Sequence, residues 1–373
     1  MKIIIYTVLL LVSTSLNAKY LDTKSCKECH DMIHYEHTTS MHHKSSIFKN
    51  ELHKKIKAKV SPDKYGCALC HTPGASNLRA LMTGEEQPSA KSTEQLDGVS
   101  CFYCHQITKV LELKHKNINF YSNKKSEKPT FLAALDKPDT SDKHKSKSND
   151  IYKNSQVCMG CHGKKYNSNK VIICNGYNEF NKTSDCIKCH MPKNPGGTTK
   201  LNKRGRTQYA SHEFLGIRSN TMVKKAVELY IAASKNSDML EITITNKMGH
   251  SIIMQPMRLK YIKTTIERSG KIIWSNFKTD PMEDKEATFT ILFKDKDNKQ
   301  STPAIAKGFK FNNNLKANST KTIKYNIPTL QKGDIINSSW ISYVVRPSLA
   351  SKLGLEDEYT KEYKGVSKIL EIK

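Results

Sequence analysis

From about residue 221 to the end, apolar and polar positions alternate with a period of two. Ala226–Ala232, Leu240–Thr245, Arg258–Thr265, Lys271–Trp274, Ala287–Phe293, Thr320–Tyr325 and Trp340–Val345 alternate or run apolar, with many β-branched and aromatic residues. This is the pattern of short, half-buried strands. Lys235-Asn236-Ser237, Ser269-Gly270, Asp295 to Asn298, Asn312 to Asn314 and Lys332-Gly333-Asp334 punctuate them as turns. Seven strands so spaced predict an antiparallel β-sandwich over residues 221–373. Residues 19–220 lack this periodicity and are rich in Lys, Asn, Ser and His. Within them, Asp31 to Val60 has no Gly or Pro and reads as largely helical. Ser122 to Asp150, with Pro129 and Pro138, reads as a polar surface loop. The expectation is an α+β chain, in which short helices and much irregular backbone precede the sandwich.

The first 18 residues follow a third pattern. Met1 and Lys2 lead into an apolar run from Ile3 to Val12, then small and polar residues to Ala18. That order predicts an export signal cut after Ala18. The run is too short for a membrane span, which needs about 20 apolar residues. The mature protein is therefore expected to be soluble and periplasmic.

Composition raises a difficulty. Only 37% of the residues are apolar, against about 45–50% in ordinary soluble domains. Disorder fits poorly with 11 Phe, 16 Tyr and the alternating second half, so something other than side chains should fill part of the interior. The formal charge is +26. Such basicity raises nucleic acid or an anionic membrane as partners, and export argues against nucleic acid.

Cysteine spacing answers the difficulty. Ten of the 11 cysteines lie in five copies of Cys-x-x-Cys-His: Cys26/Cys29/His30, Cys67/Cys70/His71, Cys101/Cys104/His105, Cys158/Cys161/His162 and Cys186/Cys189/His190. Composition alone would yield about 0.01 copies. Two thiols at this spacing can each add to one vinyl group on a haem edge, and the next histidine then reaches the iron. Zinc knuckles and disulfides also use Cys-x-x-Cys pairs, but neither explains a histidine after every second cysteine. The expectation is five covalently bound haem c groups with these ten thioether cysteines and five proximal histidines, and the flat apolar macrocycles supply the missing core. Cys174, in the run Val171 to Cys174, reads as a buried inert thiol.

The occupant of the sixth iron position separates an electron carrier from a catalyst. Nine histidines lie outside the motifs: His34, His37, His42, His43, His53, His115, His144, His212 and His250. On a continuous Asp31–Val60 helix, His42 and His53 would point the same way about 16 Å apart and could serve two neighbouring haems. Met41, Met191 and Met254 are alternative ligands, though histidine is in surplus.

The arrangement resembles the multihaem c-type cytochromes related to the tetrahaem electron carrier of ammonia oxidisers and, more distantly, to hydroxylamine oxidoreductase and pentahaem nitrite reductase. The likeness rests on several segments: Cys29-His30 with Tyr35-Glu36 and Ser40-Met41-His42, Cys70 to Gly74, Gly98 to Cys101, and Cys189 to Pro192 with Ser211 to Gly216. Asn246 to His250 is similar to the head of a β-domain that relatives append, but Ser251 to Met254 replaces their Pro-Thr-Gly turn. The resemblance implies distal ligation by His42, His144, His212 and His250; of the remaining histidines, His53 is the expected fifth ligand, on the helix spacing above, and His115 its substitute.

Two functions compete at this stage. The first is a periplasmic carrier passing electrons through bis-His haems between redox proteins, such as a quinol dehydrogenase and a terminal reductase, in an anaerobic or nitrogen/sulfur respiratory chain. The second is an enzyme with one open haem acting on nitrite or hydroxylamine. In the pentahaem nitrite reductases Lys replaces one proximal His, and all five motifs here end in His, which favours the carrier. Residues 19–212 hold 33 Lys and Arg against 18 Asp and Glu, and about ten propionates would absorb much of that excess. The basic remainder, concentrated after residue 212, suggests an acidic redox partner or an anionic membrane surface.

Overall fold

The structure is a computed structural model, and it describes residues 20–114, 116–122, 128–176, 186–200 and 204–373. The export segment and His115 lie outside these residues. No helix among them is long and apolar enough to cross a membrane.

In the second half, alternation folds into sheets as expected. Strands β1 (Val227–Ala232), β2 (Met239–Asn246), β3 (Leu259–Arg268), β4 (Lys271–Ser275), β5 (Thr288–Lys294), β6 (Gln300–Ser301), β7 (Gly308–Asn313), β8 (Thr320–Asn326), β9 (Ile335–Tyr343) and β10 (Tyr363–Glu371) are all antiparallel. One sheet has the order β8-β2-β1, and the other β6-β5-β3-β9-β10, with β4 on β3 and β7 on β5. Leu240, Ile242 and Ile244 of β2 point inward while Glu241, Thr243 and Thr245 point outward, as a period of two requires. Facing them from the other sheet are Ile262, Ile266, Phe289, Ile336 and Trp340, all fully buried in the same core. Register places Ile262 opposite Trp340, and Ile242 between Ile231 and Ile323. The seven predicted strands are present. Those missed, β6, β7 and β10, are a two-residue strand and two strands with largely half-exposed or exposed residues.

The first half is built of short helices, several of a single turn, and two-stranded ribbons. Its separate apolar cluster, Ile47, Tyr65, Ala68, Ala75 and Leu81, is small. Asp31 to Val60 is not one helix. It forms α1 (Asp31–Thr39) and α2 (Glu51–Val60), with a 3-10 turn at His43–Ser45 between them. The Thr38 and Thr39 hydroxyls bond back to the Tyr35 and Glu36 carbonyls, a local competition that weakens a helix end. Asn50 restarts the chain as the N-cap of α2, accepting from the His53 amide. His42 therefore lies in the break, and its expected common helix face with His53 does not exist. The loop expected over Ser122–Asp150 is also partly ordered: Thr130–Ala133 pairs in parallel with Lys145–Ser148.

Candidate multi-centre redox site

Each Cys-x-x-Cys-His motif is wound into about one helical turn. The amides of His30, His71 and His105 donate to the carbonyls of Cys26, Cys67 and Cys101 at 3.0, 3.1 and 3.0 Å. At helical pitch, residues i, i+3 and i+4 share a face, so both thiols and the histidine project together. Ser100 caps the third turn by accepting from the Tyr103 amide. Gly160 within the fourth motif has a packing reason, because a Cβ there would run into the Asn119 side chain.

All five turns open onto one continuous cavity of about 3050 Å³, lined by the ten motif cysteines, the five motif histidines and His42, His144, His212 and His250. That is roughly three times the ~1,000 Å³ upper end for a pocket holding one small ligand. His53 does not line it, although Leu52 and Ile56 do. Cys174 is half-buried on the wall, with its thiol pushed up by burial.

The histidines are paired across this cavity. Ring centroids are 6.2 Å apart for His30 and His144, 6.0 Å for His42 and His162, 6.2 Å for His105 and His212, and 6.4 Å for His190 and His250. Each pair joins one motif histidine to one outside the motifs. Two metal–imidazole bonds of about 2 Å, each with about 1.1 Å from nitrogen to ring centre, span about 6.2 Å. The four pairs therefore have the spacing that a single iron between two imidazoles demands. The remaining motif histidine, His71 of the second motif, pairs with His53 at 3.9 Å. That is too close for an intervening iron, and both Nδ1 atoms reach the same Ser45 carbonyl, at 3.2 and 3.0 Å. His53 Nε2 is buried with no hydrogen-bond partner.

Backbone carbonyls fix the tautomers. The Nδ1 atoms of His30, His105 and His190 bond to the carbonyls of Thr198, Leu132 and Leu215 at 2.6, 2.7 and 2.5 Å. Those of His144, His212 and His250 bond to Lys145, Ala210 and Ser251 at 3.2, 2.8 and 2.8 Å. With Nδ1–H donated, each Nε2 keeps its lone pair for a metal. Burial pulls His42, His71 and His212 down to about 3 and His162 and His250 to about 4, so all five rings are neutral at physiological pH, the form that can offer a nitrogen lone pair to a metal. Ring spacing, fixed tautomers, paired thiols and cavity size all fit haem.

The pairs adjoin one another. Thiols of different motifs face one another: Cys26 lies by Cys101, Cys70 by Cys161, and Cys158 by Cys186. Phe131 lies against both His105 and His144, and Phe214 against both His42 and His212. The first, third and fourth motifs thus form a series, and the second and fifth both adjoin the fourth. The pattern of the sequence did not single out Glu36 as a structural residue. Its carboxylate accepts from Asn194 Nδ2, Tyr209 OH and the His212 amide, each at 2.8 Å, and so locates the His212 segment. Nor did it give Gly98, named only within the Gly98–Cys101 likeness, its packing role: its turn lies against His42 and His43, and the signal available was the Asp97-Gly98 dipeptide.

Residues 25–106 match the family model described as cytochrome c554 and c-prime. The crystal structure of a penta-heme cytochrome c552 from Thermochromatium tepidum aligns with a TM-score of 0.76 at 21% sequence identity, covering 94% of this chain and 99% of that one. At that identity the likeness establishes a shared fold. None of the curated proteins matches the chain.

Proposed function

We propose that this chain is an exported five-haem c-type cytochrome that carries electrons between redox proteins. Four ring pairs at the spacing of an iron with two imidazole ligands are the observation that carries this reading. When bound, haem supplies reversible one-electron chemistry. The ten motif cysteines tether the groups covalently. His30, His71, His105, His162 and His190 would hold the irons together with His144, His53, His212, His42 and His250 respectively, which would leave no position open to small substrates. At the His53–His71 pair this requires the rings to part by about 2 Å, and the unpartnered Nε2 of His53 is the atom that would bind the iron.

The contiguity of the motifs supports transfer along the chain, with the fourth motif, whose His162 pairs with His42, as the junction. Rigid mounting on backbone carbonyls keeps the ligands from reorienting as charge changes. Acceptors and donors are expected to be proteins, with an acidic face or an anionic membrane meeting the basic second half.

Haem content by alkaline pyridine spectrum and intact mass, followed by electron paramagnetic resonance and carbon monoxide titration, tests the reading. Five haems, all low-spin and unreactive to carbon monoxide, are the expected result, and His250→Ala should make one of them high-spin and reactive. A large high-spin fraction in the unaltered protein would instead indicate an open site and overturn the pure carrier.

A further inference from the structure

Where the β-half meets the cavity, three cations stand together. Arg218, Arg258 and Lys260 all line it. The Lys260 side chain is 6% exposed, and its Nζ donates to the Ile252 carbonyl at 2.8 Å. Arg258 Nε is buried without a hydrogen-bond partner. Arg218 packs over the Tyr359 ring, 5.8 Å from its centre. No ion pair to any of the three is found among the described residues. The charges also lie within reach of one another and of two ring pairs: Arg218 acts on Arg258, Arg258 on Lys260 and on His162, and both Lys260 and Arg258 on His250. Lys260 is buried and the two arginines are half-buried, and like charges withdrawn from water without a counter-ion are costly, so the cluster calls for an anion that none of the described residues supplies.

We propose that Arg218, Arg258 and Lys260 form an anion cradle that holds the propionates of the haem at the fifth motif, between His190 and His250. Two of the three residues, and His250, come from the start of the β-sandwich, so the sandwich completes this site and sets its potential. Fixed cations favour the reduced state, which has one more negative charge, and the fifth centre is thereby raised above what its ligands alone would give. The inference rests on the five-haem reading. The chemistry it identifies is an anionic oxygen donor, and a free oxyanion such as phosphate or nitrite is the other possible source.

Potentiometric titrations of the unaltered protein and of Arg258→Met, Lys260→Met, Arg218→Met and Arg258→Lys, with haem counted in each, test it. With five haems retained, the methionine variants should lower one midpoint by at least a tenfold change in its reduction equilibrium, or 59 mV for one electron. Arg258→Lys should restore most of it. The midpoint in the unaltered protein should not respond to added phosphate or nitrite. Haem-replete methionine variants with all midpoints unchanged would overturn the cradle, and an anion-dependent midpoint would assign it to a free oxyanion instead. Protein without covalent haem would refute the underlying reading rather than the cradle. Having three separate sites keeps the test open if one variant fails to fold.

Discussion

Replacing Gly98 with alanine should loosen the segment that carries His42. Gly98 has φ +64°, a left-handed conformation that costs an L-residue about 1–2 kcal/mol. A Cβ there would stand 2.6 Å from Ser45 Oγ, 2.8 Å from the His42 carbonyl oxygen and 2.9 Å from that of His43. The hydroxyl can rotate away. The two carbonyls are backbone and can retreat only if residues 42–45 shift as a unit. Overpacking of this kind costs about 1–3 kcal/mol, so the total is about 2–5 kcal/mol. Adjacent Val99 ties the same segment through its amide, 3.1 Å from both the His42 carbonyl and Ser45 Oγ. A shift therefore moves His42 relative to His162. Urea unfolding followed at the Soret band should show a lower midpoint at unchanged slope, and paramagnetic resonance should show one haem gaining high-spin character. Adding Ser45→Gly should recover only the side-chain part of the loss. A loss below about 1 kcal/mol with every haem still low-spin would mean that this contact does not hold the His42 segment.

The two halves of the molecule were legible in the sequence to different degrees, for a physical reason. In the sandwich, side chains alone make the core, so strands such as Met239–Asn246 display their burial as alternation. In the first half the cavity takes the place of that core. What organises the chain there is the spacing of Cys and His, which located the five motifs but not the path between them. Asp31 to Val60 has helix-forming composition throughout, yet its break at Ser40 follows from Thr38 and Thr39 bonding backwards and from the packing of Gly98 against residues 42 and 43. No local signal could report that second contact, since its partners are more than fifty residues apart. The pairing of His144 with His30 and of His250 with His190 is non-local in the same way. Only the resemblance to known cytochromes singled out His144, His212 and His250 beforehand, and it could not say which motif each would face.

Two further changes test the packing around the site. Trp340 is fully buried, faces Phe289 with ring centres 5.7 Å apart and sits opposite Ile262. Trp340→Ala should cost about 3–5 kcal/mol, read from far-ultraviolet circular dichroism in urea, and a loss under 2 kcal/mol would mean that the two sheets close over the gap. Glu36→Ala separates a structural role from a ligand-positioning one. Its carboxylate takes three donors, from Asn194, Tyr209 and the His212 amide, and all three lose their acceptor. Tyr209 is 3% exposed, so water cannot readily take over, and stranding buried donors costs about 1–3 kcal/mol each. Loss of stability alone would fit any buried carboxylate. Because the His212 amide is one of the three, the spectrum and midpoint of the haem between His105 and His212 should also change, and the other four should not. Glu36→Gln retains an acceptor oxygen but presents an amide N–H₂ to at least one donor, so it should fall between wild type and Ala in both readouts. A Glu36→Ala protein that is destabilised with all five midpoints unchanged would show that Glu36 holds the fold without positioning His212.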